Sequence, residues 1–215
     1  MQPMQKITIV SLATLLVAFV IWSGPATAAQ KIKIVALGDS LTAGYQLPAV
    51  DAFPNRLQAA LIARGHDVEV INAGVSGDTT QGGLARLDWS VPTDAQAVIL
   101  ELGGNDALRA IDPAITRKNI DEMIGRLKTR GIKILLAGML APPNLGDNYA
   151  GQFNGIFADL AEKHGILLYP FFLDGVAAEP GLILSDGMHP NGKGVGIIVE
   201  RIMPTVEQLI DQIGN

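Results

Sequence analysis

The chain has 215 residues, with 16 Lys or Arg, 21 Asp or Glu, a formal net charge of −5 and no cysteine. This length is typical of one domain that buries a core without disulfide or metal staples. The absence of cysteine excludes disulfides, thiolate metal sites and a thiol nucleophile. The acidic balance, with no long basic run, argues against nucleic acid as a partner.

The first 30 residues carry part of the hydrophobic content, which is 48% of the chain. Lys6 precedes an uncharged run from Ile7 to Trp22, and small residues follow up to Ala29. This pattern is typical of a secretory signal peptide. We predict cleavage after Ala28, or alternatively after Ala29, leaving residues 29–215 as one domain in the periplasm or outside the cell. The run is shorter than the roughly 20 residues of a spanning helix, so a retained membrane anchor is the less favoured alternative.

Beyond residue 30, short aliphatic runs alternate with longer amphipathic stretches. The runs predict strands at Ile32–Leu37, Val68–Asn72, Ala97–Leu102, Ile132–Ala137 and Ile166–Leu168. The stretches predict helices at Phe53–Arg64, Thr79–Trp89, Pro113–Arg130, Tyr149–His164 and Gly192–Ile213. Because the strands alternate little between polar and apolar residues, both of their faces should be covered. The order predicts an α/β fold, in which a five-stranded parallel sheet has helices on both faces.

Polar or glycine-containing segments follow the predicted strands. Ser40 comes after the first strand, Gly74 after the second, Asn105 after the third, and Asp186 with His189 after the fifth. Open parallel sheets bind ligands beyond the carboxyl ends of their strands, at one edge of the sheet. We therefore expect these side chains to meet there.

Ser40 is the candidate nucleophile, and a serine hydroxyl needs a base within hydrogen-bond reach. Of the three histidines, His66 and His164 lie between a helix and the following strand, which places them at the opposite edge of the sheet. Only His189 can reach Ser40, and Asp186, three residues earlier, can orient the imidazole. Taken alone, the segment around His189 also fits a surface turn that starts the last helix.

An acyl-transfer site also needs donors for the oxyanion of the transition state. Gly74 can bring a backbone N–H close because it has no Cβ, Asn105 can offer its side-chain amide, and the N–H of Ser40 would be the third donor. Each residue has an ordinary alternative, since glycine and asparagine are common in turns. Because candidate residues follow several different strands at the same edge of the sheet, an acyl-transfer site is favoured over a set of unrelated turns.

Other charged residues near the strand ends have simpler interpretations. Asp39, Asp78 and Asp106 stand next to loop glycines, where carboxylates commonly accept backbone N–H bonds, and no histidine accompanies them at metal-ligand spacing. Arg86 and Arg109 fit either a substrate carboxylate or phosphate or ordinary salt bridges, and the salt bridges are favoured.

Four sequence blocks resemble those of the GDSL or SGNH hydrolases: LGDSLTAGY, NAGVSGDTTQGGLARL, ELGGNDALR and DGMHPN. The resemblance covers nearly the whole chain after residue 31. Within that family, the blocks are most similar to those of the bacterial periplasmic group called thioesterase I, protease I, lysophospholipase L1 or arylesterase.

The resemblance implies a flavodoxin-like three-layer α/β/α sandwich. It also implies a Ser40–His189–Asp186 triad and an oxyanion hole formed by Ser40, Gly74 and Asn105, with no metal and no organic cofactor. The expected function is serine esterase activity on small acyl esters or thioesters, carried out by a monomer.

The substrate specificity is predicted from apolar loops after the third and fourth strands. Leu108, Ala141 and Pro142 are the candidate acyl-chain contacts, although such residues also pack loops onto a domain. Few aromatic or polar groups are available for a sugar ring, so a carbohydrate O-acetyl esterase is the weaker enzyme alternative. The alternative outside the enzymes is a noncatalytic flavodoxin-like domain that binds a nucleotide or flavin. Such a domain would need a phosphate-binding loop such as G-x-G-x-x-G, and this chain has none after the first strand.

Overall fold

The computed structural model describes residues 31–214, so the predicted signal peptide lies outside the described part of the chain. Five strands form one sheet: β1 Ile32–Gly38, β2 Val68–Gly74, β3 Ala97–Glu101, β4 Lys133–Ala137 and β5 Leu167–Tyr169. All pairings are parallel, in the order β2-β1-β3-β4-β5. The predicted α/β class is confirmed, with strand ends shifted by at most two residues.

The helices surround this sheet. They are α1 Ser40–Ala43, α2 Phe53–Ala63, α3 Thr80–Ser90, α4 Gly104–Leu108, α5 Pro113–Thr129, α6 Gly146–Phe153, α7 Ile156–His164 and α8 Gly192–Gly214. Helices α2 and α8 pack together, while α3 and α7 both pack against α5. Within residues 31–214, no helix is long and apolar enough to cross a membrane.

One predicted helix is wrong in its extent. The segment predicted as a single helix from Tyr149 to His164 is two helices, α6 and α7, separated at Asn154 and Gly155. Both residues are poor helix formers. The side chain of Asn154 also accepts a hydrogen bond from the N–H of Ala141 at 2.8 Å, which ties the break to the loop after β4.

The two central strands form the core. Ile34, Val35 and Leu37 of β1 have no exposed side-chain surface, and the same is true of Val98 to Leu100 of β3. Burial on both faces explains why these strands read as continuous apolar runs. The carboxyl ends of these strands are therefore held firmly in place, and so are the first residues that follow them.

The strand order creates a crevice at one place on the sheet edge. From β1 the chain crosses to β2 on one side, whereas from β3 it crosses to β4 on the other. The segments that follow β1 and β3 therefore diverge, and open α/β sheets bind ligands at such a point. Ser40 follows β1 and Asn105 follows β3, so both lie at this crevice.

Candidate active site

Ser40 is the first residue of α1, a helix of four residues that begins directly after β1. Asp39 caps it, because a carboxylate oxygen of Asp39 accepts the N–H of Leu41 at 3.0 Å. The first backbone N–H groups of a helix have no partner within the helix, which leaves the N–H of Ser40 free of intrahelical bonds. A Cβ at Gly38 would collide with Glu101, so the tight turn into α1 requires glycine there.

The structure joins Ser40, His189 and Asp186 in one hydrogen-bonded chain, here called the candidate triad. Ser40 Oγ lies 2.8 Å from His189 Nε2, and His189 Nδ1 lies 2.7 Å from one Asp186 oxygen. The other Asp186 oxygen accepts the N–H groups of Met188 and His189 at 2.9 and 3.1 Å. Gly187 makes this turn with a φ of 73°. The bonds from Met188 and then from His189 lower the pKa of Asp186 to about 2.

Hydrogen bonds hold the loop that carries His189. The N–H of Leu184 donates to the carbonyl of His189 at 2.7 Å. Asn191 caps α8 by accepting the N–H of Gly194 at 3.1 Å, and its amide donates to the carbonyl of Gly181 at 2.8 Å. The start of α8 therefore helps to position the imidazole.

The ring of Tyr45 packs against His189, with centroids 4.4 Å apart and planes inclined by 34°. A ring packed in this way restricts the rotation of the imidazole. Sequence reasoning missed this contact. The available signal was an aromatic residue just beyond the helix that starts at Ser40.

The other two histidines lie away from the cavity that contains Ser40. His66 Nε2 is 3.5 Å from a carboxylate oxygen of Glu207, and His164 Nε2 is 2.5 Å from one of Asp121. Both precede a strand, at the amino-terminal edge of the sheet, as topology predicts.

Asn105 lies in α4 and faces the same cavity as Ser40. Its amide nitrogen donates one hydrogen bond to the second carboxylate oxygen of Asp39, at 2.9 Å. Because an amide has two N–H groups, the other can serve a substrate oxygen. Asp39 thus orients the predicted oxyanion donor as well as capping the helix that begins at Ser40.

The surroundings of Gly74 differ from those of a free oxyanion donor. Its N–H donates to the side-chain oxygen of Asn72 at 3.0 Å. A Cβ at Gly74 would collide with the backbone of Thr42 and Ala43, so α1 packs directly on the end of β2. The glycine is required by this close approach, and its N–H would have to share or leave Asn72 to bind an oxyanion.

Two buried carboxyl groups lie close to Ser40, at the ends of β1 and β3. Asp39 is 1% exposed and Glu101 is fully buried. One Glu101 oxygen accepts the hydroxyl of Thr42 at 2.7 Å, and the other has no hydrogen-bond partner among residues 31–214. Burial raises the pKa of Asp39 to about 6 and, together with the charge of Asp39, raises that of Glu101 well above its usual range. These surroundings favour the neutral form of Glu101 more strongly than that of Asp39, which has hydrogen-bond donors on both of its oxygens.

Sequence reasoning also missed Glu101. The signal that could have found it was a charged residue at the end of an otherwise apolar strand that is buried on both faces.

The cavity at the candidate triad has a volume of about 350 Å³. Its wall is mostly apolar and is formed by the loops after β3, β4 and β5 with the loop of the triad: Leu108, Met139, Leu140, Pro142, Phe171, Leu173 and Met188. Leu108 and Pro142 were predicted here. Ala141 instead packs against the core, so its side chain is not among those lining the cavity.

The remaining acidic residues near the strand ends make local contacts. Asp106 accepts the N–H of Thr80 at 2.8 Å, and Asp78 accepts Nε of Arg86 at 2.6 Å. Within the described part of the chain, no group of three or more His, Asp or Glu side chains is arranged to hold a metal ion.

Comparison with known proteins gives consistent matches. Residues 36–197 match the model of the GDSL-like lipase/acylhydrolase family. The chain is 40% identical to an arylesterase of Vibrio mimicus, over 86% of this chain and 92% of that protein. It is 34% identical to thioesterase 1/protease 1/lysophospholipase L1 of Escherichia coli K12, over 86% and 88%. A crystal structure of TesA superposes with a TM-score of 0.78 at 36% identity, covering 82% of this chain and 99% of the other.

The buried Asp39 makes a testable contribution to the pH dependence of stability. Because its pKa is about 6 in the folded protein and near 3.8 in the unfolded chain, folding binds a proton between these values. This proton binding stabilises the folded wild-type protein in acid, and the stabilisation is lost as pH rises from about 4 to 6. Relative to wild type, D39N should gain stability over this interval by up to about 3 kcal/mol, since one pKa unit corresponds to about 1.4 kcal/mol.

Urea unfolding at pH 4, 5, 6 and 7 measures this difference. D159N, in which an exposed carboxylate paired with Arg117 is removed, is the control and should not show the same trend. Parallel pH profiles for D39N and wild type would show that Asp39 ionises equally readily in both states.

Proposed function

The chain belongs to the GDSL-like lipase/acylhydrolase family and hydrolyses esters, and we propose that Ser40 is its nucleophile, with His189 as the base and Asp186 as the carboxylate that orients the base. The unbroken hydrogen-bonded chain of the candidate triad, at 2.7 and 2.8 Å, carries this proposal. It matches the requirement that a serine nucleophile have a base in contact, itself oriented by a third group.

In the first half-reaction, Ser40 Oγ attacks the acyl carbonyl while His189 Nε2 takes its proton. Asp186 holds the Nδ1–H tautomer and stabilises the imidazolium. The carbonyl oxygen becomes an oxyanion, which the N–H of Ser40 and the second amide N–H of Asn105 stabilise. Gly74 joins them only if its N–H is released from Asn72.

The tetrahedral intermediate then collapses, and the bond to the leaving oxygen or sulfur breaks. His189 donates its proton to the departing alcohol or thiol, leaving the acyl group on Ser40. In the second half-reaction His189 takes a proton from water, which attacks the acyl-enzyme, and the acid departs as Ser40 regains its proton.

The carboxylate of the triad is insensitive to mild acid. The N–H groups of Met188 and His189 keep the pKa of Asp186 near 2, so this carboxylate remains charged in mildly acidic solution. It can therefore still accept the Nδ1–H of His189 there.

We propose acyl esters and thioesters as the substrates. The relatives are named as an arylesterase and as a thioesterase and lysophospholipase. The wall formed by Pro142, Phe171 and Leu173 suits an acyl chain better than a sugar ring, because it offers few hydrogen-bonding groups. This observation favours an acyl esterase over a carbohydrate O-acetyl esterase.

We propose that the chain is exported and processed, on the basis of the apolar run between Lys6 and Trp22. Expression of the full chain in a Gram-negative host should yield a periplasmic or secreted protein that begins at Ala29 or the next residue. Protein sequencing of the amino terminus measures this. Recovery of the intact chain in the membrane fraction would instead support the retained anchor.

A serine-directed fluorophosphonate probe tests the nucleophile. We expect one equivalent of label, located on Ser40 by peptide mass spectrometry, and loss of both labelling and p-nitrophenyl ester hydrolysis in S40A. S76A, which alters another serine of the same cavity, is the matched control and should still be labelled. Normal hydrolysis by S40A would exclude Ser40 as the nucleophile.

N105A should lower kcat by about 100- to 1000-fold with a small change in KM, because one oxyanion donor contributes about 3 kcal/mol in the transition state. N148A, which removes an exposed amide on α6, is the control and should behave like the wild type. If N105A instead raises KM and leaves kcat unchanged, Asn105 contributes to substrate binding and not to stabilisation of the transition state.

A further inference from the structure

We propose that Arg109 binds a phosphate or similar anionic group in the leaving portion of the substrate, because its guanidinium is held against Gly77, which lines the active-site cavity, with most of its donors unused. This inference rests on the proposed function, since it concerns the group that departs when Ser40 is acylated. It adds a charged subsite to a cavity whose wall is mostly apolar.

The position of Arg109 follows from two contacts. The residue comes directly after α4, and its Nη2 donates to the carbonyl of Gly77 at 2.9 Å. Gly77 lies in the loop after β2 and lines the cavity together with Leu108 and Ser40. The guanidinium therefore reaches from the end of α4 to the loop after β2, next to a residue that lines the cavity.

The donors of Arg109 are mostly free, unlike those of the neighbouring Arg86. Arg86 is buried and donates to Asp78 and to the carbonyls of Ala73 and Gly38, so it serves the packing of the strand ends. Arg109 is exposed, and within residues 31–214 the only hydrogen bond of its guanidinium is the one to Gly77, with no carboxylate in salt-bridge range. A guanidinium with several free N–H groups is suited to bind a phosphate through two parallel bonds.

Charges nearby make this cation useful for an anionic substrate. Asp39 and Asp186 are both negative at neutral pH and lie close to Ser40. They would repel a phosphate that approached the nucleophile. Asp78 does not compete for Arg109, because its carboxylate is already paired with Arg86 at 2.6 Å.

The strand order identifies which part of the substrate Arg109 meets. Ser40 follows β1, which lies between β2 and the remaining strands. The apolar wall of Pro142, Phe171 and Leu173 follows β4 and β5, on one side of Ser40. Gly77 follows β2, on the other side. An acyl chain on the apolar wall therefore directs the leaving group toward Gly77 and Arg109.

Matched substrates test the proposal. Octanoyl-CoA and the octanoyl thioester of N-acetylcysteamine share the acyl group and the thioester, but only the first has phosphates. Lysophosphatidylglycerol and monoacylglycerol with one acyl chain form the corresponding ester pair. We expect R109Q to lower kcat/KM for a phosphate-bearing member about tenfold, mainly through KM, and to change the neutral member less than twofold.

Two further variants sharpen the result. R109K should retain part of the preference, because it keeps the charge but loses the planar pair of donors. R117Q removes an arginine that pairs with Asp159 on the protein surface, and it should leave both ratios unchanged. Added salt should weaken the wild-type preference for the anionic member and have little effect on R109Q.

If R109Q loses kcat/KM selectively for the phosphate-bearing member of both pairs, Arg109 serves a general phosphate subsite. If the selective loss occurs in only one pair, that pair identifies the anionic group as that of a CoA thioester or of a lysophospholipid. Equal effects of R109Q on charged and neutral members would overturn the proposal. The proposed function is tested separately by S40A on the neutral thioester, whose hydrolysis does not depend on Arg109.

Discussion

The carboxylate of Asp39 joins the two halves of the site. One of its oxygens caps α1, the helix that begins with Ser40, and the other accepts the amide of Asn105 at the start of α4. These helices follow β1 and β3, the neighbouring strands from which the chain diverges. One buried carboxylate consequently sets the distance between the proposed nucleophile and a proposed oxyanion donor, and the cavity forms around that pair.

Three carboxyl groups near Ser40 have different protonation behaviour because their surroundings differ. Asp186 is exposed and accepts backbone N–H bonds, which lowers its pKa. Asp39 is buried but hydrogen-bonded, so its pKa rises only to about 6. Glu101 is fully buried beside Asp39 and one of its oxygens is unpaired in the described part of the chain, so its pKa lies well above the usual range. Burial without enough donors favours the neutral acid, and donors favour the carboxylate.

The cavity is asymmetric about Ser40. On the side of β4 and β5 its wall is apolar, whereas on the side of β2 it is lined by Gly77, whose carbonyl accepts a hydrogen bond from the exposed guanidinium of Arg109. A substrate with an acyl chain at one end and a polar group at the other matches this arrangement. The asymmetry arises from the sheet order, because β1 lies between the strands whose loops form the two sides.

The sequence by itself determined the α/β class, the strand positions to within two residues and the single histidine able to reach Ser40, because these depend on periodicity and on which edge of a parallel sheet a residue occupies. Only the tertiary structure decided that Asn72 occupies the N–H of Gly74, that Ala141 packs inward, and that Phe171 lines the cavity. Such contacts join side chains from loops distant in sequence. Their geometry depends on how the layers pack, and no local pattern in the chain records it.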